Sequence, residues 1–328
     1  MNVRFKMSRL IVPAGALAFA LWVVAGGLGR GSDSSRPGAP GDARFIFDPG
    51  ADSGVDSRLS AGGEILVRPT LNDREVGWFL LDPAAEGMRL APSLAEELEL
   101  SSSGTHRLVS TSKAEERRAW LCPVFRLGPC RAEGLEMTEM ISAAEEEADE
   151  PIVGVVGTAL FKAAVVEIDL GVGAVRLFEP SAYDDARTTW QEFRVLNSLP
   201  VVRCRFEGDR EGEFGLDMRS PLGIVFFKPA VEGLGLVKNK VTRPGTISGA
   251  NFGQASVRTG VMAWFEAAGF LREKMMAVFV MDDISLAAAK ELTGLIGRDL
   301  LKDGLLVLDF GRSRLAVQAK TTLLREES

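Results

Sequence analysis

Residues 154–171 read GVVGTALFKAAVVEIDLG, and residues 294–311 read GLIGRDLLKDGLLVLDFG. Gly154, Gly157, Leu160, Lys162, Asp169 and Gly171 fall on Gly294, Gly297, Leu300, Lys302, Asp309 and Gly311. After a two-residue offset, Arg176-Leu177 falls on Arg314-Leu315. Agreement this dense marks an internal repeat, which fixes architecture before any single motif does. The repeat continues upstream. Asp73-Arg74-Glu75 precedes Trp78-Phe79-Leu80-Leu81-Asp82, and Asp209-Arg210-Glu211 precedes Phe214-Gly215-Leu216-Asp217. After each aspartate comes an apolar stretch, then a proline (Pro92, Pro229) opening a short helical pattern over 92–98 and 229–234. Proline suits a first helical turn, where its missing N–H goes unused.

Short apolar runs bounded by turn residues predict strands. Residues 165–170 turn at 171–173 and return through 175–178. Residues 305–310 turn at 311–313 and return through 315–317. Helix is sparse, the best case being 285–292 with Ser285 as N-cap. The expected fold class is mainly β, with two similar lobes behind an N-terminal hydrophobic helix.

The chain has 328 residues, a formal net charge of -7 and no dense Lys/Arg cluster, so phosphate tracking along a nucleic acid is not expected. A single histidine, His106, excludes multi-histidine zinc sites, and in its polar setting it reads as a surface residue. No cofactor or metal is expected. Glu145 to Glu150 read as a solvated acidic loop, and Asp309-Phe310-Gly311 as a hairpin turn, because no other kinase motif accompanies it. Cys122, Cys130 and Cys204 match no metal or redox spacing; Cys122 and Cys130 either pair or stay as buried thiols.

Arg4, Lys6 and Arg9 precede an uncharged run over 10–29, which fits a membrane anchor or a signal peptide and places the body outside the cytoplasm. The organisation read from sequence is a targeting segment over 1–30, a disordered linker over 31–62, lobes over 63–185 and 186–320, and a tail over 321–328.

At these residues the chain resembles the retropepsin-like and pepsin-like aspartic proteases, over about 63–320. FLLDPAAEG at 79–87 is similar to the family's FLLDTGASG, and Val155-Val156-Gly157 and Leu295-Ile296-Gly297 are similar to the elements that support the aspartate loops. The resemblance implies Asp82 and Asp217 as the catalytic pair, with Gly157 and Gly297 supporting their loops. The family's Thr and Gly are replaced by Pro83 and Ala84 in one copy and by Met218 and Arg219 in the other. Pro83 and Met218 remove the hydroxyls that brace the two loops in that family. Arg219 adds a cation that lowers the pKa of a nearby carboxyl. The expectation is an impaired or inactive protease-like protein that keeps a peptide or protein ligand. The alternatives are an active endopeptidase using Asp82 and Asp217, and a non-enzymatic two-module β scaffold. Hairpins closing over a ligand are expected near 101–118 and 244–259. Two lobes in one chain remove the need for a dimer.

Overall fold

The computed structural model describes residues 43–109, 114–140, 151–186, 188–249, 253–286 and 288–320. The targeting segment, the acidic run after 140 and the C-terminal tail lie outside the described residues. The fold is mainly β, arranged in two lobes built on one plan.

In the first lobe, strand Trp78–Leu81 lies parallel to Ile152–Val156, which runs antiparallel to Met88–Leu90, itself parallel to Cys130–Glu139. In the second, Arg210–Asp217 lies parallel to Gly294–Gly297, which runs antiparallel to Ile224–Phe226, itself parallel to Phe270–Val280. Register is kept as well as order. Gly154 faces Phe79 where Gly294 faces Phe214, and Val156 faces Leu81 where Ile296 faces Leu216. Every residue of Trp78–Leu81, Gly294–Gly297 and Ile224–Phe226 is buried. Continuous apolar strands covered on both faces suit the parallel pairing.

The repeat glycines are close approaches. A Cβ on Gly154 would collide with the Phe79 ring, and one on Gly294 would collide with the Val225 carbonyl and the Phe214 ring. These glycines let two aromatic side chains lie flat against the neighbouring strand. In the second lobe Phe206, Phe214, Phe226, Phe265 and Phe279 form a continuous ring cluster. Such pairs each add about 0.5–1.5 kcal/mol beyond the area they bury.

A five-stranded sheet joins the lobes in the order Ala174–Phe178, Val165–Asp169, Gly304–Asp309, Arg314–Ala319, Gln191–Glu192. Its central antiparallel pair sets Glu167 opposite Val307. Each lies the same number of residues beyond its repeat glycine, so the pseudo-twofold axis runs between them. Phe310 packs on both Phe161 and Phe193 and extends the apolar core across the join.

The helices after the prolines form, as Pro92–Glu97 and Lys228–Gly233. Two more, Thr158–Ala163 and Arg298–Leu301, start directly after Gly157 and Gly297 and were not expected. At one turn or so they are too short to show a 3.6-residue period. The expected helix over 285–292 is corrected to Ala288–Glu291. Upstream of it, Met281 N–H donates to Ser256 O and Asp282 accepts the Ser256 N–H.

The linker boundary is also corrected. Residues 43–62, assigned to the linker by composition, contain Arg44–Phe47, paired with Cys130–Glu139, and Ser57–Leu59, paired with Ile65–Val67. Apolar Phe45 and Phe47 pack on the main core, which outweighs the surrounding Gly, Ser and Asp. Cys122, Cys130 and Cys204 are buried free thiols. Cys122 faces Leu135 while Cys130 faces Leu127, so the two cysteines sit on adjacent strands about 16 Å apart along the ladder. A disulfide needs Cα atoms within about 7 Å.

Candidate functional site: two aspartates at the seam between the lobes

Asp82 and Asp217 each end the buried strand that meets the repeat glycine segment, and each is 3 % exposed. The local fold is the same in both copies. Asp82 Oδ1 accepts the Ala84 N–H at 2.9 Å; Asp217 Oδ1 accepts the N–H groups of Arg219 at 3.1 Å and Ser220 at 3.2 Å. These are Asx turns, in which a short carboxylate caps its own loop. Neither Ala84 nor Arg219 has a positive φ, so a side chain costs no backbone strain at either position.

Gly157 and Gly297 support the loops through contact. A Cβ on Gly157 would be driven into the carbonyl oxygens of Ala85 and Gly87, and one on Gly297 into those of Leu222 and Ser220. Around each glycine the backbone closes with matching bonds: Thr158 N–H to Ala85 O at 2.8 Å, and Arg298 N–H to Ser220 O at 3.0 Å.

The two loops meet. Among the described residues, Ala84 is the one first-lobe residue in an apolar cluster otherwise built from second-lobe side chains, including Leu199, Val225, Phe227 and Leu295. Met218 is buried in the main core cluster. Apolar packing therefore holds these loops where Pro83 and Met218 leave no hydroxyls to brace them.

Electrostatics tie the carboxyls together. Burial first, and the Asp82 charge second, push the Asp217 carboxyl up to about 6, against the lowering effect of the Arg219 and Ser220 N–H groups and the Arg219 guanidinium. Burial also raises Asp82, opposed by Arg219, the Ala84 N–H and Arg89. The sequence expectation that Arg219 would lower a nearby carboxyl holds in sign, but desolvation outweighs it. Asp217 Oδ2 is buried with no hydrogen-bond partner among the described residues, a position far less costly for a protonated carboxyl than for an ion.

Three further charged residues belong to this site and were missed from the sequence. Glu64 Oε1 lies 3.5 Å from Arg219 Nε. Arg298, 7 % exposed, donates from Nη2 to Gly62 O at 2.7 Å, and its charge is coupled to Glu64 and Asp217. Arg89 is coupled to Asp82. Arg298 had a visible signal, because it breaks the repeat at the position of Thr158. Glu64 and Arg89 had none. His106 lies apart from this group, pairing with Glu136 at 2.8 Å on strand Ser101–Val109. Asp169 and Asp309 cap hairpin turns as read from the sequence, the first through Gly171 and Val172 N–H, the second through Arg312 N–H.

Both expected hairpins form. Ser101–Val109 pairs with Ala114–Leu127, and Thr242–Gly249 with Gly253–Ala267; the tips at 110–113 and 250–252 lie outside the described residues. In each, the first strand is bonded, among the described residues, to the hairpin partner alone, leaving a sheet edge.

No protein-family model matches the chain, and no curated protein matches it. Among solved structures, the crystal structure of basic 7S globulin from soybean is similar at 12% identity and a TM-score of 0.49, covering 82% of this chain and 95% of that one. Likeness at that level says nothing of what this chain does.

Proposed function

We propose that this chain is a pepsin-like, two-lobed protein whose paired aspartates no longer cleave peptides, and that it binds extended peptide segments. One observation weighs most. A largely buried guanidinium, Arg219, acts on both Asp82 and Asp217 and is itself paired with Glu64. Aspartic-protease chemistry needs one carboxylate to take a proton from water while its partner carboxyl gives one to the scissile carbonyl. A resident cation favours the ionised form of both groups and so works against the shared proton. Neither Pro83 nor Met218 offers a hydroxyl to brace one aspartate loop against the other, and a displacement of about 1 Å can cost roughly a hundredfold in rate. The unpaired edges of Ser101–Val109 and Thr242–Gly249 support the binding half of the proposal, since an extended peptide can add to a free sheet edge.

The second reading, an active endopeptidase, is favoured by the Asp217 carboxyl, raised to about 6 beside a second aspartate. Incubation with an unfolded polypeptide between about pH 3 and 7 separates the two. We expect no fragments by mass spectrometry, and retained peptide binding in Asp82→Asn and Asp217→Asn. Cleavage that disappears in both variants establishes the endopeptidase; absence of any peptide binding removes the other half of the proposal. We also propose that residues 1–30 place the body outside the cytoplasm. Accessibility of the full-length chain to protease added to intact cells tests this, and protection until lysis contradicts it.

A further inference from the structure

The turn at 60–64 belongs to the first lobe by its pairing, since it joins Ser57–Leu59 to Ile65–Val67. Its polar groups nevertheless reach the second lobe. Gly62 O accepts from Arg298 Nη2, and Glu64 pairs with Arg219 beside the Asp217 loop. Internal bonds make the turn rigid: Ser60 Oγ accepts the Glu64 N–H at 3.0 Å, Ser60 O accepts the Gly63 N–H at 2.9 Å, and Glu64 O accepts the Ser60 N–H at 2.8 Å. Gly63 has φ +77°, and a Cβ there would meet Arg298 Nη1 at 2.6 Å. The turn is thus shaped to admit the guanidinium against its backbone.

The repeat shows that this contact is an addition. Thr158, at the equivalent position to Arg298, stays within its own lobe and accepts the Gly87 N–H at 3.0 Å through Oγ1. Arg298 instead crosses the join. The lobes are therefore tied on one side of the pseudo-twofold axis by a charged strap directly beside the aspartates.

We propose that the 60–64 turn is an interlobe latch: Gly62 and Glu64, held by Arg298 and Arg219, keep the seam closed over Asp82 and Asp217, and its release exposes both carboxyls. Lobe interfaces joined by polar contacts of this kind are common sites of relative motion. The latch is independent of whether the aspartates retain chemistry, and its test reads accessibility, not cleavage.

Full-length protein is treated near pH 6 with a water-soluble carbodiimide and an amine, and carboxyl modification is read residue by residue by mass spectrometry. In wild type, Asp82 and Asp217 should be protected relative to exposed Asp52. Glu64→Gln should raise modification of both by roughly tenfold, the shift in an opening equilibrium that follows loss of one charge-assisted contact. The Glu64 charge itself raises the proton affinity of Asp82. Its removal also changes the proton affinity there, so opening is read from a rise that a charge-neutral change reproduces. Ser60→Ala loosens the turn without changing any charge and should move both sites in the same direction. If Glu64→Gln loses cooperative melting, Ser60→Ala decides. Modification at the wild-type level in the folded variants overturns the proposal.

Discussion

Asp217 is held where an ion is poorly solvated, and that has a thermodynamic sign. Its folded pKa, about 6, lies above the ordinary value of 3.8, so between these values the folded state binds the proton more tightly than the unfolded chain does. The stabilising effect of protonation is fully present below the ordinary value and is lost as pH rises through about 6. Asp217→Asn keeps an oxygen for the Arg219 and Ser220 N–H groups but has no proton to lose. We expect it to exceed wild type in stability by about 2–3 kcal/mol at pH 7.5 and to lose that advantage near pH 4, in denaturant melts at the two pH values. The loop glycines make a second prediction at this scale. Gly297→Ala forces a Cβ against the carbonyls of Leu222 and Ser220, backbone atoms that cannot rotate away. A loss of about 3 kcal/mol is expected, where a surface glycine such as Gly233, with open space around it, should tolerate alanine.

Among the elements, legibility depended on whether a residue pattern was local. The paired strands, the hairpin turns at Asp169 and Asp309 and the proline-led helices could be read because their apolar runs and punctuating Gly or Pro lie within a few residues of one another. The helices Thr158–Ala163 and Arg298–Leu301 could not, being too short for periodicity to appear. Strand Arg44–Phe47 shows in the sequence only as the brief run Phe45-Ile46-Phe47 in loop-like surroundings, since its stability comes from pairing with the distant strand Cys130–Glu139. The same register settles the cysteines. With Cys122 pushed up to about 11 and Cys130 to about 12 by burial, neither forms thiolate readily. A thiol titration should find all three cysteines free in denaturant and little reaction in the native protein. A count of one free thiol would contradict the strand register.

At the scale of the molecule, duplication explains why two aspartates distant in sequence share one seam, and why the charges around them do not obey the repeat. Asp82, Asp217, Gly157 and Gly297 were legible because each copy reports on the other. Glu64 was not, because its pairing with Arg219 arises only when the lobes dock, and Arg89, coupled to Asp82 of its own lobe, was not because its counterpart by register is the uncharged Val225. The axis itself can be tested. Val307, fully buried, faces its repeat partner Glu167 across the central strands. Val307→Glu would set two acids against each other at the join, and thermal melts should show a loss of roughly 3–5 kcal/mol, as for an uncompensated buried charge. The meeting of the two aspartates is measured most directly by a carboxyl-carbon NMR titration of Asp217. A midpoint near 6 that moves toward the ordinary carboxylate range in Asp82→Asn is the predicted result. An ordinary midpoint in wild type, or one that ignores the loss of the Asp82 charge, would contradict it.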